Sequence, residues 1–319
     1  MQKVSVIVPV KNEGRHIADL LGSLQAQSVK PDEIIIVDGG STDGTAGIVE
    51  DCRKKGMPLR LIAVTEALPG KGRNIAIENA KNEIIAMTDG GIILDRDWLK
   101  NIVAPFAEDS SLEVVHGLRG CRAVTTFEEC FALVYLPANR ALKSPFRNFP
   151  FVASTALKKY VWEKAGKFRE DLRAGEDLLF LKKLKESKFR TIVAYNAVAY
   201  WRPRSSFREG FSLAFKYAVC DAKTRLHLSR HFRKYLMYSL GALLAYAGLK
   251  NPVWFVLLAA GFVLDILLVC RKHWNEFLKL VGRNPGNLFT ITAIIIILDI
   301  AGLCGFSAGL IRKIFKHAN

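Results

Sequence analysis

Two aspartates in this chain close a short apolar run and are followed by two glycines: Asp38 in EIIIVDGG and Asp89 in EIIAMTDGG. A carboxylate at the carboxyl end of a buried parallel strand stands where open α/β sheets place their ligands. It can accept hydrogen bonds from a base N–H or a ribose hydroxyl. The glycines let the backbone turn tightly and approach a bound group closely. The first segment also reads as an ordinary strand-to-helix turn, with Ser41, Thr42 and Asp43 capping the next helix. A third acidic feature, Glu176–Asp177, opens an apolar run. A carboxylate there is either a proton acceptor or a complement to a helix N-terminus. Arg202 and Arg204, in YWRPR, offer guanidinium forks for phosphate oxygens or for lipid headgroups.

The surrounding pattern predicts the elements that must hold these groups. Val4–Val10 reads as a strand, and Ile17, Leu20, Leu21 and Leu24 give the next segment one apolar helical face. Ile34–Val37 is a continuous apolar run, as expected of a strand covered on both faces. A helix around Ala46–Arg53, a strand Leu59–Val64, a helix Gly72–Ala80 and a strand Glu83–Met87 follow. This β-α-β-α-β-α-β order predicts an α/β fold: a mostly parallel sheet with helices on both faces, Asp38 and Asp89 emerging on one edge. No GxGxxG follows the first strand and no GxxxxGK[ST] occurs, which sets aside the dinucleotide-binding and P-loop classes. Pro69–Asn74 (PGKGRN) is glycine-rich and basic without matching either.

Composition divides the 319 residues into a mixed segment, 1–230, and an apolar segment, 231–319. The stretches 252–270 and 288–311 approach or reach the length that crosses a bilayer core of about 30 Å. The shorter 235–249 is either a third span or a helix lying at the interface. Asp265 and Asp299 interrupt the apolar runs, where a carboxylate is costly and faces a partner or a cavity. The net charge is +16, and the stretch from Arg202 to Lys234 is strongly basic, as expected of the cytoplasmic flank of a membrane segment. No nucleic-acid-binding signature accompanies that charge. The opening MQKVSVIVPV has no signal-peptide pattern, so the expected location is a cell membrane, multi-pass, with residues 1–230 in the cytoplasm. Cys52, Cys121, Cys130, Cys220, Cys270 and Cys304 have neither CxxC nor metal-ligand spacing and suit reduced thiols.

Taken together, VSVIVPVKNE, IIIVDGGSTDGT, GKGRNIAIENA, TDGG and AGEDLLF resemble, in order and spacing, the motifs of the family 2 inverting glycosyltransferases. The likeness runs from about Ser5 to Arg225. It implies the GT-A nucleotide-diphospho-sugar transferase fold followed by transmembrane helices. It implies that Pro9, Val10, Glu13, Asp38, Arg73 and Asn74 contact the donor nucleotide and that Arg202 and Arg204 reach its diphosphate. Asp89 stands where the family's DxD motif holds a divalent metal, Mg²⁺ or Mn²⁺. Here the motif reads Asp-Gly-Gly, closer to a membrane-anchored subset with TDAG, and Asp95 is the fallback ligand if its loop folds back. Asp177 takes the role of catalytic base, with Glu176 as runner-up. The implied activity is transfer of one sugar, a hexose, from a UDP- or GDP-sugar to a lipid or lipid-linked acceptor at the cytoplasmic leaflet. The QxxRW signature of processive synthases is absent around Phe215–Tyr217. The competing readings are a noncatalytic nucleotide-sugar-binding membrane protein and a sugar nucleotidyltransferase.

Overall fold

The computed structural model describes residues 2–136 and 150–316. They form two compact units, one of residues 2–122 and 150–202, the other of 123–136 and 203–316.

The first unit is built on one sheet of eight strands: β1 (Val4–Val10), β2 (Glu33–Asp38), β3 (Leu59–Ala63), β4 (Ile84–Met87), β5 (Ile92–Leu94), β6 (Val114–Cys121), β7 (Thr155–Lys158) and β8 (Thr191–Trp201). Their spatial order is β3-β2-β1-β4-β7-β6-β8-β5. The half made by β3, β2, β1 and β4 is parallel, as the alternation of elements predicts. Beyond β4 the sheet is mixed: β7 runs antiparallel to β4 and β6, and β8 pairs parallel to β6.

Side-chain alternation divides the core between the two faces. Val4, Val6, Val8, Ile34 and Ile36 pack against Ile17, Leu20, Leu21 and Leu24 of α1 (Ile17–Gln25), Val49 of α2 (Thr45–Lys54), and Trp98, Ile102 and Phe106 of α4 (Trp98–Glu108). Ile7, Ile35, Val37, Ile85 and Met87 meet Ala76 and Ile77 of α3 (Pro69–Glu78) and Phe180, Leu181 and Leu184 of α7 (Glu176–Glu186). Trp162, in α6 (Lys159–Lys164), belongs to the same face. Each fully buried Val, Leu, Ile, Phe or Met among them contributes about 1.5–3 kcal/mol relative to exposure.

Two local details differ from the sequence reading. Helix α3 begins at Pro69, a residue suited to a first turn because its missing N–H needs no partner there. The Gly39–Gly40 pair is required by the chain itself: a Cβ on either would stand 2.3 Å from a carbonyl of the following loop, Ala67 or Thr65.

The second unit is helical: α5 (Thr126–Tyr135), α8 (Phe207–Thr224), α9 (Leu228–Gly248), α10 (Val253–Cys270), α11 (Trp274–Arg283) and α12 (Asn287–Lys316). Within it α8 packs along α12. Gly305 and Gly309 open that contact, since Cβ atoms there would meet the Phe215 and Val219 carbonyls at 2.5 and 2.8 Å. Two stretches among the described residues, Val253–Arg283 and Gly286–Phe315, are long and apolar enough to cross a membrane. Asp265 and Asp299 both face Lys234 of α9, at 3.3 and 2.7 Å, and Tyr238 donates to Asp299 at 3.2 Å. The lone intramembrane carboxylates of the sequence reading are thus a shared ion cluster that ties α9 to α10 and α12.

Candidate active site

Asp38 ends β2, in register with Val10 of β1, and Asp89 follows β4 by two residues. Since β2, β1 and β4 are adjacent and parallel, both carboxylates leave the sheet on its carboxyl edge. Asp38 is buried and its Oδ1 accepts from the Ser41 N–H at 2.9 Å and the Ser41 hydroxyl at 2.6 Å. Those bonds fix the carboxylate's orientation. Ser41, together with Thr42, Asp43 and Thr45, also clamps the turn after β1. Asn12 N–H donates to the Ser41 hydroxyl, Thr42 N–H to Asn12 Oδ1, Gly14 N–H to Asp43 and Glu13 N–H to Thr45. The polar residues after Gly40 therefore join two turns of the site. Asp43 also accepts from the Thr45 hydroxyl inside α2, whose N-cap is Gly44 with φ +86°.

The centre of the site is Arg73. Its guanidinium lies in the second turn of α3 with its side chain only 4% exposed, and it bridges two carboxylates. One amino group donates to Glu176 Oε1 at 2.5 Å and the other to Asp89 Oδ1 at 2.7 Å. Beneath it lies the Phe168 ring, 5.4 Å from the guanidinium carbon, in cation–π range. Burial opposes the charge on Arg73, but Asp89, Glu176 and Asp177 together more than offset it and hold the guanidinium above its ordinary range.

Asp177 neighbours this pair on the first turn of α7 and stands apart chemically. Its Oδ1 is buried with no hydrogen-bond partner among the described residues. Burial, then the adjacent Glu176 charge, push its carboxyl up to about 7, against the opposing pull of Arg73. The two acids offered as alternatives by the sequence thus have different surroundings. Glu176 is spent on Arg73, whereas Asp177 keeps an unengaged oxygen and a titration range suited to proton transfer at neutral pH.

The remaining expected residues fall in different settings. Asn74 is buried and saturated: its amide donates to the Phe168 carbonyl and to Glu170, and its oxygen accepts from Trp162 Nε1 and the Phe168 N–H, all at 2.8–3.0 Å. An amide has two donors and two acceptor sites, so this side chain holds the loop carrying Phe168 and has nothing left for a nucleotide. Pro9 and Val10 form the end of β1. Arg202 ends β8's extension and donates to Asp19 at 2.8 Å and pairs with His16 at 2.6 Å, both on or beside α1. Arg204 lies in the second unit, on the segment entering α8. Asp95 accepts from the Asp97 N–H, and its carbonyl accepts from Gln27 and Trp98 at the start of α4, so its carboxylate serves that turn. Ser41 and Phe168 are the contributors that motif spacing does not single out. Ser41 looks like a helix cap, and Phe168 like a core aromatic.

For a divalent cation, a hard oxygen ligand is needed. Asp89 supplies one: Arg73 takes Oδ1 alone, and the side chain is 35% exposed. Among the described residues, no three His, Cys, Asp or Glu side chains gather as a metal-holding group.

A parallel β3-β2-β1-β4 half-sheet continued by antiparallel strands, with carboxylates on its carboxyl edge, defines a GT-A-like fold. Residues 5–133 match the model of "Glycosyl transferase family 2", and the chain carries a domain of that family. The chain is 30% identical over 226 residues to the poly(ribitol-phosphate) β-N-acetylglucosaminyltransferase TarS of Staphylococcus aureus (strain Mu50), a match covering 68% of this chain and 38% of TarS. This chain thus corresponds to well under half of that relative. It is 25% identical over 235 residues to the O-antigen chain rhamnosyltransferase RfbN of Salmonella typhimurium, covering 69% of this chain and 73% of RfbN. A solved structure of the mannosyltransferase PcManGT from Pyrobaculum calidifontis, in complex with GDP-Man and Mn²⁺, shares the fold: TM-score 0.55 at 23% identity, covering 95% of this chain and 87% of that one.

Proposed function

We propose that this chain is a membrane-bound inverting glycosyltransferase that moves a hexose from a UDP- or GDP-sugar to a lipid or lipid-linked acceptor at the cytoplasmic leaflet. The observation that carries the reading is Asp177, a carboxylate with an unengaged buried oxygen and a raised titration range, beside a buried Arg73 that bridges Asp89 and Glu176. In this reading Asp38 receives the base or ribose, and Asp177 takes the proton of the attacking hydroxyl. The new glycosidic bond forms as the bond from the anomeric carbon to the diphosphate breaks, with inversion. A base poised near neutrality suits a hydroxyl acceptor, because a phosphate acceptor arrives already ionised.

Three carboxylates surround one guanidinium here, so an incoming diphosphate meets an excess of negative charge. Asp89 would hold a divalent cation, Mg²⁺ or Mn²⁺, which would supply positive charge to offset that repulsion and the charge of the leaving group. The membrane part of the reading rests on α10, whose apolar side chains are broadly exposed (Val256 67%, Leu264 56%), and on the basic stretch preceding α9.

The test is direct. Membranes carrying the full chain are incubated with UDP- and GDP-sugars and a panel of polyprenyl-phosphate, lipid-linked saccharide and glycolipid acceptors. A nucleoside diphosphate and a glycosylated lipid should form together. Resistance of the protein to extraction by alkaline carbonate checks the membrane anchoring. Donor binding without turnover on any acceptor would overturn the transferase reading.

A further inference from the structure

The Asp89-Gly90-Gly91 turn lacks a second carboxylate on its own segment, and the turn after β1 brings one to it. A Cβ placed on Gly90 would lie 2.8 Å from Cγ and 3.3 Å from Cβ of Glu13, and a Cβ placed on Gly91 would lie 3.5 Å from Glu13 Oε2. The Glu13 side chain therefore lies across both glycines. One of its carboxylate oxygens stands in van der Waals contact with the position from which a side chain at 91 would project. From this we infer that Glu13 is the second acidic ligand of the divalent-cation site, acting in place of a residue at position 91. The inference rests on the cation use proposed above.

The placement of Glu13 is built into the turn. Asn12 sits in the left-handed region at φ 56°, an uncommon conformation for a residue other than glycine. It is retained because its N–H is held by Ser41 and its side chain accepts from the Thr42 N–H. The next two N–H groups are held by Thr45 and Asp43. The Glu13 carbonyl accepts from the His16 and Ile17 N–H groups at 2.8 Å, starting α1. The same contact accounts for Gly90, since a side chain there would collide with the Glu13 stem. Asp89, whose Oδ1 accepts from Arg73, and Glu13, from a different strand end, would then be the residues that supply hard oxygens to the cation.

Mn²⁺ binding to the purified full chain in detergent, followed by electron paramagnetic resonance with UDP or GDP at saturation, tests this without reference to turnover. Glu13→Gln should weaken Mn²⁺ binding at least tenfold, and by more than it weakens nucleotide affinity measured in EDTA. Moving the carboxylate in the double variant Glu13→Ser/Gly91→Asp should restore most of the lost affinity. It also provides a folded comparison if the single variant is unstable. Equal Mn²⁺ affinity in wild type and Glu13→Gln overturns the assignment but leaves cation use standing. A wild-type chain that binds no Mn²⁺ with either nucleotide overturns both. Loss of nucleotide affinity in EDTA on Glu13→Gln, with Mn²⁺ affinity preserved, makes Glu13 a nucleotide contact and also overturns the assignment.

Discussion

Arg73 and Glu176 are 103 positions apart in sequence and form a 2.5 Å ion pair in which each side chain is 4% exposed. The pair joins α3 to the first turn of α7 and so fixes the distance between the Asp89 turn and Asp177. Removing one partner of a buried pair strands the other charge, at a cost of about 3–5 kcal/mol. Arg73→Ala should therefore lower the denaturation midpoint by that margin, since it leaves Glu176 buried and unpaired. A change below about 1 kcal/mol in chemical denaturation would show that the guanidinium does not carry this load.

Asp177→Asn should separate chemistry from binding. A positioned base contributes about 10²–10⁴-fold, so turnover should fall within that range while donor affinity by calorimetry is kept. With the wild-type carboxyl titrating near 7, the rate should rise with pH through neutrality, because only the ionised form accepts a proton. Glu176→Gln removes the neighbouring negative charge and should move the acidic limb of that profile to lower pH. Stability should move the opposite way from activity. The folded group binds its proton more tightly than the unfolded chain does, so stability is lost as pH rises from about 4 through 7. Asp177→Asn should thus raise the melting temperature at pH 8 and leave it unchanged at pH 4. Turnover unaffected by the substitution would remove Asp177 from the chemistry.

The first four strands and their helices are legible in the sequence because each is a complete local unit, an apolar run closed by a glycine-rich turn. Strands β5 to β7 are not. β6 is interrupted by His116 and Gly117, and it pairs with segments distant in sequence. The positions of Asp38 and Asp89 on one edge follow from parallel order alone. Which of Glu176 and Asp177 pairs with Arg73 does not. Nor does the saturation of Asn74, whose four partners lie 88–96 positions away.

Asn74→Ala tests that saturation. It strands the Trp162 Nε1–H and the Phe168 N–H in the interior, each costing about 1–3 kcal/mol when unsatisfied. Thermal stability should fall accordingly. Donor affinity measured well below the transition should stay within a factor of about three, because the side chain has no bond left to offer. A tenfold or greater loss of nucleotide affinity in a folded variant would restore Asn74 as a direct donor contact.

The Lys234 cluster should respond to charge balance and not to any one residue. Lys234→Met leaves Asp265 and Asp299 facing each other with no cation between α9, α10 and α12, and the yield of monodisperse protein in detergent should drop sharply. Adding Asp265→Asn and Asp299→Asn to that variant removes the uncompensated charges and should recover much of the yield, since buried ion clusters are replaceable by neutral groups of similar shape. If the triple variant fares no better than Lys234→Met alone, the lysine's value lies in packing instead.

His116 should set the acid limit of the first unit. It is 5% exposed in β6, and its Nδ1 lies 2.9 Å from the Thr155 hydroxyl. That hydroxyl donates its one proton to the Phe151 carbonyl, so Nδ1 carries the hydrogen and the ring is a neutral donor. Burial lowers its titration to about 3 from the ordinary 6.5. Between those values the unfolded chain takes up a proton that the folded chain refuses, so this group's contribution weakens as pH falls, by about 1.4 kcal/mol per unit. His116→Asn keeps a donor near the Nδ1 position and removes the titration. Other groups also weaken the fold in acid, so the measurement is the difference between variant and wild type in denaturation midpoints from pH 7.5 to 5. The variant should lose less stability over that interval, and parallel curves would show that His116 is protonated without unfolding the strand around it.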